Sequence, residues 1–130
     1  MHIKEALLYE RLADTNDVVC KLCSHYCKIR SGSGGICRVR FNRDGKLYTY
    51  TWGRPESLAI DPIEKKPFYH FKPQTRVLSF GTPGCNFKCA NCQNSYLSQS
   101  IKFKPEQLLD AKTLHPIEIA QIAKVYNVDG

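Results

Sequence analysis

The sequence predicts an α/β fold in which a small cysteine-rich α+β module, residues 1–74, precedes the beginning of a strand–helix repeat, residues 75–130. Three observations lead to this prediction. An Asp-Gly turn separates two β-forming runs, a short apolar run is ended by glycine and proline, and an amphipathic stretch near the end of the chain opens on proline. The signals follow in the order hairpin, strand, helix, so the expected fold changes type near residue 75.

The first module is predicted to hold one helix and one hairpin. Apolar residues recur at nearly helical spacing over residues 3–13, and a polar run ends the pattern. Residues 38–42 alternate polar and apolar side chains, Asp44-Gly45 is a turn signal, and residues 46–51 are rich in β-forming residues. Tyr48, Tyr50 and Trp52 are expected on the apolar face of a small sheet, and a base-stacking platform is the alternative.

A proline-punctuated segment, residues 57–71, connects the two parts. Pro62 and Pro67 exclude one continuous central strand or helix through it. Its two adjacent lysines, Lys65 and Lys66, have two interpretations that the sequence leaves open. They guide an anionic or peptide substrate at an active-site margin, or they are exposed lysines on a packed linker.

The second part is predicted to open with a buried strand at residues 76–80, because this apolar run is stopped by glycine and proline. A short helical turn is expected at 105–110 and a longer helix at 116–126. In the longer helix, proline at the first position needs no backbone donor and the apolar residues share one face. Asn127 is a plausible stop, and Val128 would begin a parallel partner strand.

Three cysteines directly follow the predicted strand. Cys85, Cys89 and Cys92 are spaced four and three positions apart on one loop. Three thiolates that converge fit an iron–sulfur cluster, and three ligands on four irons leave one iron open for chemistry. Closed structural zinc fits less well because it takes four ligands, and His25 or a distant cysteine would have to supply the fourth. Three buried, unmetallated cysteines are the remaining alternative.

Four further cysteines lie in the first module, at Cys20, Cys23, Cys27 and Cys37, the last beyond a glycine-rich turn. Four thiolates suit tetrahedral zinc, and they also suit a second iron–sulfur cluster. Such a metal would replace a core that so short a segment cannot build. Reduced cysteines without metal are the alternative. His25, inside this group, is expected at the surface or beside the metal rather than as a ligand.

The composition and charge of the chain indicate its cellular compartment and limit the kinds of binding partner to be expected. Seven cysteines without a secretory signal pattern favour a reducing compartment, which predicts a cytoplasmic protein, and no apolar run is long enough to span a membrane. The net charge of +7 is spread along the chain, with one dense spot at Arg38, Arg40 and Arg43. A solvated basic face or attraction for an anionic substrate explains this charge better than nucleic-acid binding.

At the three-cysteine loop the sequence resembles the radical S-adenosylmethionine enzymes. Residues 57–71, 81–87 and 92–94 are similar to the branch related to pyruvate formate-lyase activating enzymes. Within that branch the radical enzyme of the AmmeMemoRadiSam system is the closest match, and the similarity covers nearly the whole chain. One position departs from the pattern: the residue before the last cysteine, often aromatic in the superfamily and implied to lie near the adenine, is Asn91.

The resemblance implies an oxidoreductase that binds a [4Fe-4S] cluster through Cys85, Cys89 and Cys92 and S-adenosylmethionine at the open iron. It implies reductive cleavage of that cofactor to a 5′-deoxyadenosyl radical, which abstracts a hydrogen atom from an unidentified peptide or small molecule. An electron donor would be needed. No catalytic side chain is assigned.

The resemblance also implies a radical-SAM (βα) barrel, of which this chain would hold the first strand, the cluster loop and the first helix. A full barrel takes about 250 residues, and the chain has 130. The sequence therefore predicts a truncated gene product, a split product or a piece of a longer enzyme, not a competent catalyst alone. A partner chain that completes the barrel is one alternative. The competing class is a non-enzymatic basic zinc-knuckle module that binds nucleic acid through Arg38, Arg40, Arg43 and the tyrosines of the hairpin segment.

Overall fold

The computed structural model describes residues 3–102, 108, 110 and 112–130. The chain divides into two compact units, and neither is continuous in sequence. The first unit is Met1–Trp52 with Pro83–Ala111, and the second is Gly53–Thr82 with Lys112–Gly130. The boundary expected at residue 74 lies inside the second unit, because the strands on its two sides pair with each other.

Two three-stranded antiparallel sheets form the first unit. In chain order the strands are β1 (Lys4–Glu5), β2 (Tyr9–Arg11), β3 (Val18–Cys20), β4 (Lys28–Ile29), β5 (Arg40–Arg43) and β6 (Lys46–Thr49). One sheet has the order β1-β6-β5 and the other β2-β3-β4. Later in the chain the unit adds α1 (Ser95–Gln99) and a 3-10 turn at Ser100–Lys102.

The helix predicted over residues 3–13 is wrong, because this segment supplies β1 and β2 to the two sheets. Ala6 is buried, and its N–H donates to the carbonyl of Leu47 at 2.8 Å. Leu8 has a φ of +57°, a left-handed conformation that no α-helix contains. Leu7 is 80% exposed, so the apolar spacing that suggested a helix does not describe one buried face.

The predicted hairpin is confirmed as β5 and β6. Asp44 and Gly45 have φ values of +53° and +81°, which is the pair of left-handed residues that a two-residue type I′ turn requires. Asn42 pairs with Leu47 across the strands, and its buried side-chain oxygen accepts the Gly45 N–H at 3.0 Å. The side-chain amide of Asn42 donates to the carbonyl of Ile29 at 2.8 Å, so the turn is also tied to β4.

Two small apolar clusters stabilise the first unit. The larger contains buried residues from both sheets: Ala6, Val18, Cys20, Ile29 and Leu47. The other joins the hairpin to the later part of the unit and contains Tyr50, Ile101 and Leu108, with Val39 and Phe41 packed against them. Leu47 is fully buried. The burial of Tyr50 and its stacking on Phe41, with ring centroids 4.3 Å apart, agree with the expected apolar face of a small sheet.

An antiparallel pair of strands and one helix form the second unit. The strands are β7 (Glu56–Pro62) and β8 (Arg76–Gly81), and the helix is α2 (Pro116–Val125). β7 ends at Pro62, and a 3-10 turn at Ile63–Lys65 follows, so no strand or helix continues through that proline. The strand predicted at 76–80 is confirmed, but its burial is not. β8 is half-exposed, and its sheet has two strands, β7 and β8, among the described residues.

The predicted C-terminal helix is confirmed as α2. Pro116 is its first residue, and Glu118 accepts the backbone N–H of His115 at 2.6 Å, which caps the helix start. Asn127 has a φ of +47° and ends the helix as expected. Ile119 and Ile122 on the predicted apolar stripe are half-buried.

The residues after α2 bond to β8 where a parallel partner strand was expected. The N–H of Asp129 donates to the carbonyl of Arg76, and the N–H of Leu78 donates to the carbonyl of Gly130, both at 2.8 Å. The two bonds advance along both segments in the same direction, as between parallel neighbours. Residues 128–130 do not form a strand in the described chain, so the expected partner strand is present only as these two backbone bonds. The turn predicted at 105–110 falls largely outside the described residues. Within the described part of the chain, no helix has the length and apolar character needed to cross a membrane.

The buried position of Leu47 gives a stability prediction. Leu47→Ala removes a fully buried side chain from the centre of the first unit, so we expect the free energy of unfolding to fall by about 2–5 kcal/mol. Urea unfolding followed by the fluorescence of the single tryptophan measures it. Leu22→Ala is the matched control, because Leu22 is 57% exposed. Equal stability of the two variants would contradict the packing described for the first unit.

Candidate metal centre

The loop that carries Cys85, Cys89 and Cys92 begins at Gly84, whose backbone lies close to Val39 and Cys37. Gly84 has a φ of +95°, and a Cβ there would lie 2.5 Å from Val39 Cγ1 and 3.3 Å from the carbonyl oxygen of Cys37. Any other residue would force this backbone away from its neighbours. The Gly84 N–H also donates to the carbonyl of Leu97 in α1 at 2.9 Å. The loop is therefore held between the hairpin segment and α1.

The first thiol of the loop receives a backbone hydrogen bond. Cys85 is half-buried, and the N–H of Phe87 donates to its Sγ at 3.4 Å. Backbone N–H groups directed at a sulfur stabilise negative charge on it, which is the environment that a metal-ligating thiolate needs.

The last thiol of the loop lies beside α1. Cys92 Sγ is 3.4 Å from the hydroxyl of Ser98, which is buried. Gln99 donates from its side-chain amide to the carbonyl of Phe87 at 3.0 Å, which fixes the middle of the loop to the same helix. Cys89, between these anchored points, is exposed, as is Asn91.

The sulfur atoms of the loop are not gathered around one point. All seven cysteines are free thiols. Within the part of the chain that the structure describes, no group of three or more His, Cys, Asp or Glu side chains is arranged to hold a metal ion. The donor set of the loop thus fits a cluster in its chemistry and chain spacing, whereas the convergence of the three sulfurs is not present.

The second cysteine group lies on the β3–β4 hairpin and the turn after it. The Cys20 N–H donates to the Cys27 carbonyl at 2.9 Å, and the ladder pairs Val18 with Ile29, so the two cysteines oppose each other on one face. Cys27 Sγ lies 3.7 Å from where a Cβ of Gly35 would be. Cys23 and Cys37 are half-buried. These four thiols also remain ungathered among the described residues.

Arg40 is buried against the first of these cysteines. Its exposed fraction is 7%. Its Nη1 donates to Cys20 Sγ at 3.1 Å and its Nη2 to the carbonyl of Leu7 at 2.6 Å. A buried guanidinium needs such partners, because an unpartnered charge in an apolar environment is costly. Arg40 is therefore not part of an exposed basic face, whereas Arg38 and Arg43 are exposed.

An open cavity of about 570 Å³ lies beside the two exposed arginines, Arg38 and Arg43. The Arg43 guanidinium lies 5.8 Å from the centroid of the Phe41 ring, and that ring stacks on Tyr48 and Tyr50. The tyrosines that sequence reasoning considered as a base-stacking platform are thus packed against Phe41.

The two groups of cysteines meet through backbone and ring contacts. His25 Nε2 lies 3.0 Å from the carbonyl oxygen of Asn86, and its ring packs edge-on against Phe87 with centroids 6.2 Å apart. Sequence reasoning missed this contact, because the two residues are 61 positions apart and neither belongs to a local pattern that pairs them. His25 is exposed, in agreement with the surface position expected for it.

The lysines of the second unit are paired with a carboxylate. Lys65 Nζ donates to Asp61 Oδ1 at 2.7 Å and Lys66 Nζ to Asp61 Oδ2 at 2.8 Å. The hydrogen bond from the Lys65 ammonium group has the largest effect and that from Lys66 the next. Together they hold the pKa of Asp61 well below its ordinary value of 3.8. The geometry favours the packed-linker interpretation of these lysines over the substrate-guiding one.

One relative is found among curated proteins. The chain is 44% identical over 128 residues to the uncharacterized protein MJ0808 of Methanocaldococcus jannaschii. The match covers 98% of this chain and 37% of that protein, so the chain spans less than two fifths of the relative's length. No family model and no solved structure matches the chain.

Replacing the buried guanidinium is expected to destabilise the first unit. Arg40→Lys keeps the charge but loses the fork that bonds Cys20 Sγ and the Leu7 carbonyl together, so we expect a loss of about 1–3 kcal/mol in the free energy of unfolding. Arg38→Lys, two residues away and exposed, is the matched control and should change it by less than about 0.5 kcal/mol. Urea unfolding compares the two. Equal effects would show that the Arg40 contacts do not stabilise the fold.

The ion pairs of Asp61 predict an acid-sensitive contribution to stability. The folded-state pKa of Asp61 is lowered, so its contribution is present above the unfolded value of about 3.8 and is lost as pH falls towards the folded value. Between pH 5 and pH 2.5, the wild type should therefore lose more stability than Asp61→Asn. Asp14→Asn, at an exposed carboxylate, should follow the wild type. Parallel pH profiles for Asp61→Asn and the wild type would contradict this.

Proposed function

We propose that this chain is the cluster-binding part of a radical S-adenosylmethionine enzyme of the branch related to pyruvate formate-lyase activating enzymes. The observation that carries the proposal is the loop after β8, with three free thiols in eight residues and a backbone N–H directed at the first sulfur. In this proposal Cys85, Cys89 and Cys92 are the ligands of a [4Fe-4S] cluster. When bound, such a cluster supplies the electron that cleaves S-adenosylmethionine to a 5′-deoxyadenosyl radical.

The second unit supports the barrel part of the proposal. Its strand β8, its helix α2 and the backbone bonds of Asp129 and Gly130 to β8 are local contacts that a strand–helix–strand repeat of a (βα) barrel would need. The M. jannaschii relative is more than twice as long as this chain, which leaves room outside the matched region for further repeats. The complete barrel, whether in one polypeptide or with a partner chain, is part of the proposal.

The residues of the loop have separate roles in this function. Gly84 and the anchors on α1 hold the two ends of the loop, and the Phe87 N–H offsets negative charge on Cys85 Sγ. The barrel interior would exclude water from the nucleotide and from an unidentified peptide or small-molecule substrate. We further propose a cytoplasmic enzyme that takes its electron from a separate donor protein, and zinc or a second cluster at Cys20, Cys23, Cys27 and Cys37.

Anaerobic reconstitution with iron and sulfide tests the proposal. We expect about four iron and four sulfide atoms per chain at the loop, lost in Cys85→Ala, Cys89→Ala and Cys92→Ala, because each variant removes one of three ligands. Cys23→Ala is the control from the other cysteine group and should retain the loop cluster. S-adenosylmethionine should change the electron paramagnetic resonance spectrum of the reduced cluster in the wild type and in Cys23→Ala.

The competing class gives the opposite result. A chain that binds zinc but no iron or sulfide, and binds nucleic acid with an affinity that falls steeply with salt, would overturn the proposal and favour the basic zinc-knuckle module. The burial of Arg40 and the packing of Tyr48 and Tyr50 count against that module, since these residues were to supply its contacts.

A further inference from the structure

A continuous path of hydrogen bonds leads from His25 to the first sulfur of the loop. His25 Nε2 lies 3.0 Å from the carbonyl oxygen of Asn86. Because a carbonyl oxygen only accepts, the Nε2 carries the hydrogen and donates it. The Asn86 carbonyl and the Phe87 N–H belong to one peptide group, and that N–H donates to Cys85 Sγ at 3.4 Å. The planar peptide thus has His25 on one side and the sulfur on the other.

Packing fixes the orientation of this peptide group. The His25 ring lies edge-on to the Phe87 ring at an interplanar angle of 66°. The next carbonyl along the chain, that of Phe87, accepts the side-chain amide of Gln99 at 3.0 Å. Both ends of Phe87 are therefore held, and rotation of the peptide away from Cys85 would break contacts with two separate segments of the first unit.

We propose that His25 is a positioning residue for the Cys85 site, acting through the Asn86–Phe87 peptide to keep its N–H directed at the Cys85 sulfur. This inference rests on the proposed function in one respect, that Cys85 is a cluster ligand. It gives the four-cysteine segment a role that does not depend on metal binding by its own cysteines. That segment presents His25 to the loop and so couples the two cysteine groups.

The expected chemical effect is on the cluster's reduction potential. Hydrogen bonds in a chain polarise one another, so a donor on the Asn86 carbonyl strengthens the Phe87 N–H as a donor to sulfur. An N–H dipole at a ligand sulfur stabilises the extra negative charge of the reduced cluster. Loss of the His25 donor should therefore make the potential more negative without removing a ligand.

Two His25 variants separate the donor from the ring. His25→Phe keeps an aromatic ring against Phe87 but removes the N–H, whereas His25→Gln restores a side-chain N–H donor. His70→Phe is the control, since His70 is an exposed histidine of the second unit. Two readouts apply to each: the water-exchange rate of the Phe87 amide, measured by NMR on the metal-free chain, and the reduction potential of the reconstituted cluster.

In His25→Phe we expect roughly threefold to tenfold faster exchange of the Phe87 amide, which corresponds to the loss of one hydrogen bond, and a more negative potential. His25→Gln and His70→Phe should stay near the wild type in both. Unchanged exchange in His25→Phe would overturn the inference. Faster exchange of the Phe87 amide with an unchanged reduction potential would overturn the proposed effect of His25 on the cluster.

A wild-type chain that takes up no iron would overturn the proposed function and, with it, the tuning of the cluster. The exchange rates on metal-free protein still decide in that case whether His25 holds the peptide. The failure of the inference and the failure of the proposed function are therefore distinguishable.

Discussion

The close approach of the Gly84 backbone to Val39 is the constraint on which the geometry of the cysteine loop depends. A side chain at this position would meet Val39 at 2.5 Å, and the φ of +95° lies where residues other than glycine are strained. The Gly84 N–H is bonded to Leu97 as well. One residue therefore connects the loop to the hairpin segment and to α1, and Cys85 takes its position from the residue before it.

The elements that could be predicted from the sequence are those whose signals are local. The Asp44-Gly45 turn needs two left-handed residues and has them, and α2 begins on Pro116 and ends on Asn127, each with its own short-range cause. The helix expected over residues 3–13 had only apolar spacing in its favour. Pairing of β1 with β6 and of β2 with β3 overrode that spacing, and those partners lie elsewhere in the sequence.

The arrangement of the candidate site could be predicted only in part, because each unit is built from two separate segments of the chain. The sequence placed the three cysteines directly after a strand, and they are there, but the strand belongs to the second unit and the loop to the first. The same return of the chain brings Asn86 to His25 across 61 residues. Contacts of this kind depend on tertiary packing, and no periodicity or motif in a single sequence encodes them.

In the proposed function, metal binding would bring the three thiols of the loop together and so supply the last step of its folding. Cys85 and Cys92 lie at anchored ends, one beside the Phe87 N–H and the other beside Ser98, whereas Cys89 is exposed between them. Closing a loop whose ends are already held loses less conformational entropy than ordering a free segment. If the proposed cluster binds, its metal–thiolate bonds would contribute directly to folding and would have only the exposed part of the loop around Cys89 to reorganise. The contacts of the loop with Gly84, α1 and His25 would thus limit the conformations that the loop has to sample before the three sulfurs can bind one metal site.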